Sequence, residues 1–292
     1  MTAKIITDLP ADDYHARPEI SKSGLDLIAR SPAHYRAGFQ KIASDTARIG
    51  RATHAIVLEG GAGVVTGVGA AKNTKAGKDA WAAWFVANGG SASIMELPAA
   101  QQADAFETET GLTVVSPGER IAMDGMAASV REHPVAGPML DPPGDAEVSI
   151  IGAIDDVPMR CRLDWWTKDR TVIVDLKTSV DATRHAFRSA VARYRYQCQH
   201  AVYANLAEQA TGHRPRFVFV VVEKAAPFAC AVYELDDEAQ ANGDWLVSRD
   251  LKRYRQCVET DTWPSYEADL ALDIPIYESE PDIPIIFEGE AA

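Results

Sequence analysis

The chain has 292 residues, 47% of them hydrophobic, with 29 Lys+Arg against 42 Asp+Glu and a net charge of −13. That composition is ordinary for a globular protein and excludes a collagen-like, fibrous or wholly disordered chain. The acidic balance also excludes binding of a polyanion over the whole surface, so any nucleic-acid partner needs a local basic field.

Residues 1–10 contain no apolar run of signal-peptide length. Phe217–Val222, the longest apolar stretch near the predicted sheet, is far too short to span a bilayer. A cytoplasmic protein with no membrane partner is therefore expected. Cys161, Cys198, Cys230 and Cys257 are widely spread and form no Cys-x-x-Cys pair. A zinc or iron–sulfur site is not expected from them, and a reducing compartment fits.

In chain order, Ser23 predicts an N-cap, with Asp26 three residues later and apolar positions at Leu25, Leu27, Ile28 and Tyr35. Ile49 to Glu59 is a second helix, ended by Gly60, Gly61 and Gly63, and residues 60–76 read as a Gly/Ala-rich loop. Gly77 to Ala87 is a third helix, with Trp81, Trp84 and Phe85, followed by a break at residues 89–93. Its aromatic residues are candidates for subunit contacts and equally for plain core. Glu119 to His133 is a helix, and residues 134–143 are a proline-rich linker.

Three strands follow, Glu147–Ile154, Val157–Trp166 and Thr171–Thr178. One long helix, Arg184–Thr211, is stopped by Gly212 and Pro215, with Phe187, Val191, Tyr194, Cys198 and Val202 facing the core. Two more strands, Phe217–Glu223 and Phe228–Glu234, precede a helix from Asp236 to Glu259. This order predicts an α/β fold with a mixed central sheet flanked by helices. It divides into an N-terminal helical region (1–133), a core (134–263) and an acidic, proline-interrupted arm (264–292).

The chemistry concentrates in the segment from Cys161 to Lys177, CRLDWWTKDRTVIVDLK. Asp175 and Lys177 stand two apart on a strand and so share a face. The hairpin can bring Asp164 beside Asp175. Val172, Ile173 and Val174 mark the second strand as buried, where a charge needs a partner or a metal. Two carboxylates can hold a divalent cation while Lys177 addresses a phosphate or an attacking water, the parts needed for phosphodiester cleavage. Arg160, Arg162, Asp164 and Trp166 alternate with Met159, Cys161, Leu163 and Trp165. Such a face is either a surface strand or a lined cleft.

Residues 160–224 hold 12 Lys+Arg against 6 Asp+Glu, the one clearly basic stretch of the chain. It can capture phosphates, or Arg184, Arg188, Arg193 and Arg195 simply solvate a helix face. Tyr196, Gln199 and Tyr203 form one stripe at helical spacing, suited to DNA phosphates, to orienting Lys177, or to a second packing face. His54 has Gly50 one turn earlier, where a missing side chain permits close approach.

These residues resemble the PD-(D/E)XK nuclease superfamily, and within it the exodeoxyribonuclease VIII (RecE-like) branch related to RecB-type and lambda-type exonucleases. Ile173–Ser179 (IVDLKTS) resembles the acid-x-Lys strand, and CRLDWW supplies the earlier aspartate, with Leu163 where the superfamily name has proline. Tyr196–Tyr203 (YQCQHAVY) resembles the Y-x-x-Q-x-x-x-Y helix, Gly50–Gly60 the G-x-x-x-H helix, and Ile20–Tyr35 the N-terminal helix of the RecE-like branch.

The resemblance implies a restriction-endonuclease-like core and catalytic roles for Asp164, Asp175 and Lys177. It implies Mg2+ or Mn2+ held by His54, Asp164, Asp175 and the Leu176 carbonyl. Glu147, Arg160, Arg162, Tyr196, Gln199 and Tyr203 are candidates for supporting or DNA-binding roles. The expected activity is 5′→3′ exonucleolytic digestion of double-stranded DNA ends in phage-type recombination, by a homo-oligomeric ring that partners a single-strand annealing protein. A structure- or site-specific endonuclease, and a DNA-binding module with an inactive site, are the alternatives.

Overall fold

The computed structural model describes residues 3–38, 45–141 and 143–266, without the side chains of residues 45–47. The predicted acidic arm lies outside the described residues from 267 onward. The chain begins with β1 (Lys4–Ile6), α1 (Ala11–Ala16), β2 (Ile20–Ser21), α2 (Lys22–Arg30), α3 (Pro32–Ala37) and α4 (Asp45–Leu58). It continues with β3 (Val64–Thr66), α5 (Lys75–Ala87), a 3-10 turn at Ala92–Glu96, α6 (Ala99–Thr110), β4 (Thr113–Val115), α7 (Pro117–Glu132) and α8 (Ala136–Leu140). The core then runs β5 (Gly144–Ile154), β6 (Val157–Thr167), β7 (Val172–Ser179), α9 (Arg184–Tyr194), α10 (Tyr196–Thr211), β8 (Arg216–Glu223), β9 (Cys230–Tyr233) and α11 (Asp237–Thr260). No helix among the described residues is long and apolar enough to cross a membrane.

The main sheet is mixed, in the order β1-β5-β6-β7-β8-β9, with β2 paired to β6. The pair β7–β8 is parallel, so its connection must cross the sheet, and α9 and α10 make that crossing. Helices cover both faces, as the sequence predicts. On one face Leu25, Ile28, Phe187, Val202 and Leu251 pack against Cys161, Leu163 and Phe219. On the other, Ile56 of α4 and Met123, Met126 and Val130 of α7 pack against Val174, Leu176 and Val220. A third cluster joins Trp81, Phe85, Ile94 and Phe106 beside the two-stranded sheet β3–β4. Trp81 and Phe85 are therefore core residues of this subunit, and not free for subunit contacts.

Four differences from the sequence reading have identifiable causes. The N-cap of α2 is Ser21, whose hydroxyl accepts from the Gly24 amide, because β2 ends there against β6. That helix stops at Arg30, since Ser31 is extended before Pro32, and Tyr35 belongs to α3. The residues read as loop contain β3, a strand too short for a sequence period to show. The single long helix is two, broken at Arg195 (φ 55°, ψ 45°). The Arg195 guanidinium pairs with buried Asp250 and lies 3.3 Å from Asp26, so a tertiary ion pair sets the break without glycine or proline. In consequence Tyr194 is exposed, not core.

Candidate active site

Strands β6 and β7 pair only at Trp165↔Val174 and Trp166↔Ile173, then diverge. Asp164 and Asp175 stand at the mouth of that fork. Asp164 Oδ2 accepts the Leu176 amide at 2.9 Å, replacing the interstrand bond the fork removes. Across β6, Glu147 has φ 52°, and the β5–β6 pairing is interrupted between Ala146↔Trp165 and Val148↔Leu163. A left-handed residue inside a strand breaks the side-chain alternation. On β6 itself Trp166 joins Leu163 on one face while Trp165 packs on the other, the reverse of the predicted faces.

Helix α4 delivers His54 to the fork. Its Nε2 lies 2.9 Å from the Leu176 carbonyl, so it is the nitrogen that donates, and Nδ1 lies 3.6 Å from Asp164 Oδ2. His54, Glu147 and Asp164 each offer a ligand atom within 4.8 Å of the others. The Glu147 carboxyl is held above its ordinary range, first by burial and then by the charge of Asp164, with Arg162 at 3.6 Å opposing. Two converging carboxylates, an imidazole and a backbone carbonyl form a donor set that fits a hard divalent cation such as Mg2+ or Mn2+. Among the described residues, a Cβ at Gly50 would meet nothing within 4 Å.

The second half of the site faces α10. Asp175 is 1% exposed, accepts from the Gln199 side-chain amide and pairs with the Lys177 ammonium. Burial pushes the Asp175 carboxyl up to about 6 against the pull of Lys177, and the charge of Asp164 adds to the rise. Burial opposes charge on Lys177, but Asp175 and Asp164 outweigh it and hold its pKa above the ordinary lysine range. Lys177 Nζ lies 4.7 Å from the Tyr196 ring centroid. Burial also raises the hydroxyls of Tyr196 and Tyr203, and Tyr203 packs edge-on to Phe217.

The fold thus brings together His54, Glu147, Asp164, Asp175, the Leu176 carbonyl, Lys177, Tyr196 and Gln199. It does not bring Arg160 to the site. That guanidinium is buried, donates to the carbonyls of Arg17 and Glu19, and lies over Tyr14. Arg162 likewise donates to the Leu9 carbonyl and to Ser149, while also facing Glu147. The two arginines fasten residues 9–19 to β6. Glu59 was not singled out from sequence. Its carboxyl is raised by burial and feels the charge of His54, and the available signal was its place just past the end of α4, five residues after His54.

A forked strand pair carrying an acid and an acid-x-Lys, clamped between helical layers, defines a PD-(D/E)XK-type protein. The chain belongs to the family described as "PDDEXK-like domain of unknown function (DUF3799)", whose model matches residues 114–271. That stretch contains Asp164, Asp175, Lys177 and Gln199 but not His54. The solved structure of a "Putative exonuclease" from Eubacterium rectale is similar in fold, with a TM-score of 0.56. The two are 13% identical over 92% of this chain and 96% of that one. A second structure, SSO0001, gives a TM-score of 0.26 at 12% identity over 70% of this chain and 86% of that one, and carries no argument. No curated protein matches the chain in sequence.

Proposed function

We propose that the chain is a metal-dependent deoxyribonuclease, acting 5′→3′ on double-stranded DNA ends in the manner of the RecE-like branch. The observation that carries the nuclease reading is the convergence of His54, Glu147 and Asp164 beside the Asp175–Lys177 pair. His54, Asp164, Asp175, the Leu176 carbonyl and Glu147 would hold Mg2+ or Mn2+. Such a cation supplies Lewis-acid charge to the scissile phosphate and a bound water of lowered pKa. Lys177, kept charged by two carboxylates, holds the attacking water or a phosphate oxygen. Gln199 keeps Asp175 in place, and the Tyr196 ring lies against the ammonium. The region before residue 134 belongs to the catalytic unit because it donates His54.

Exonuclease polarity, the recombination role and a closed ring around DNA rest on the motif resemblance, and an annealing-protein partner on the acidic arm after residue 264, which DNA would repel. Incubation with Mg2+ of end-labelled linear duplex and of closed circular duplex tests the reading. Digestion of the linear DNA alone, lost in Asp175→Ala, is expected. Cleavage of the circle makes the chain an endonuclease, and binding without cleavage of either makes it a DNA-binding module.

A further inference from the structure

Tyr194 ends α9 with its side chain 51% exposed. Its ring stacks on Tyr196, with centroids 5.7 Å apart and planes inclined by 29°. Tyr196 stacks in turn on fully buried Phe219, at 5.9 Å and 29°. The three rings form a column that is rooted in the core and ends at the surface. The Lys177 ammonium sits against its middle ring.

Two features fix the outer ring. The left-handed turn at Arg195 lets two tyrosines two residues apart stack, which a continuous helix would splay by about 200° around its axis. Lys22 donates to the Tyr194 carbonyl at 2.6 Å and pins the backbone. Helix α9 contains no acid, and Arg193 makes no ion pair among the described residues, whereas Arg184 and Arg188 line a separate cavity with Glu234, Asp236 and Glu238. Arg193 is exposed, and its guanidinium lies 5.6 Å from the Tyr194 ring centroid.

An exposed aromatic ring stacked on rings that lead into the core, with the Arg193 guanidinium over it, is the chemistry that holds single-stranded nucleic acid. We infer that Tyr194 is a stacking platform for a nucleobase of the strand whose phosphate lies at Lys177. This deepens the nuclease reading and rests on it. The ammonium and the outer ring are within about 10 Å of each other, some three base steps of roughly 3.4 Å, so the stacked base is close to the cleaved bond.

The test is anisotropy of a fluorescein-labelled single-stranded oligonucleotide with Ca2+ in place of Mg2+, scanning a single abasic position along the strand. With the native chain, one abasic position near the end should weaken binding about tenfold. Tyr194→Ala should weaken binding of the intact strand by the same factor and become indifferent to that position, while Tyr194→Phe should behave as native. The half-exposed side chain leaves the fold intact, checked by circular dichroism. Persistence of the abasic effect in Tyr194→Ala, or equal losses in the Ala and Phe variants, overturns the inference and leaves the nuclease reading standing. Failure of the native chain to bind the single strand also overturns the inference, while the nuclease reading stands or falls separately with the digestion of linear duplex.

Discussion

Gln199 donates its side-chain amide to the Asp175 carboxylate, joining the middle of a helix to the central strand inside the core. Removing a partner from a buried carboxylate leaves it without the bond that orients it. Gln199→Ala should lower kcat by about 10- to 100-fold with KM nearly unchanged, because the amide positions Asp175 and does not itself hold substrate. Gln199→Glu should lose more, since a second carboxylate would face the first. Steady-state rates on a short duplex check both.

The fork separates metal holding from turnover. Lys177→Ala should lower turnover by about 10²- to 10⁴-fold while calorimetric Mn2+ binding persists. Glu147→Gln and His54→Ala should each weaken Mn2+ binding, because their ligand atoms sit within 4.8 Å of each other and of Asp164. Native affinity in Glu147→Gln would remove that residue from the donor set.

The break at Arg195 depends on a buried acid. Asp250 is 1% exposed and is held by Arg195 and by Arg249 at 2.7 Å. Asp250→Ala strips a half-buried guanidinium of its main partner and should cost about 3 kcal/mol, read from the urea midpoint. A loss below ~1 kcal/mol would mean that Asp26 alone sustains the break.

His200 should make the fold acid-sensitive. Its ring lies edge-on to Phe217, and burial, with Arg214 nearby, lowers its pKa to about 4. The unfolded chain takes up this proton near pH 6.5, the folded chain only near 4. Stability is therefore full above pH 6.5, falls as the pH drops toward 4, and levels off below it. The loss is about 3 kcal/mol, at about 1.36 kcal/mol for each pH unit between the two. His200→Leu should flatten this part of a urea-midpoint profile between pH 7 and 5 relative to the native chain.

The strands of the core were legible because their apolar runs are bounded by turn residues, and predicted ends differ from observed ones by few positions. The acid-x-Lys strand was legible because charge inside such a run demands a partner. Glu147 was harder to place. Its approach to His54 follows from a left-handed backbone angle, which a non-glycine residue does not announce. The break between Tyr194 and Tyr196 was invisible for a similar reason. Both flanks favour helix, and the ion pair that interrupts them joins residues 55 positions apart. Arg160 looked like a cleft residue because its strand alternates, but its guanidinium is claimed by a segment more than 140 residues upstream.

The amide of Leu176 is bonded to a side chain, on a strand whose other edge is paired with β8 along its full length. Exchange of that single hydrogen for deuterium therefore reports on the Asp164 carboxylate directly. Its neighbours on the β8 side report on the sheet. Comparing the two rates distinguishes a disturbed catalytic fork from a loosened core, in the resting protein and without any substrate.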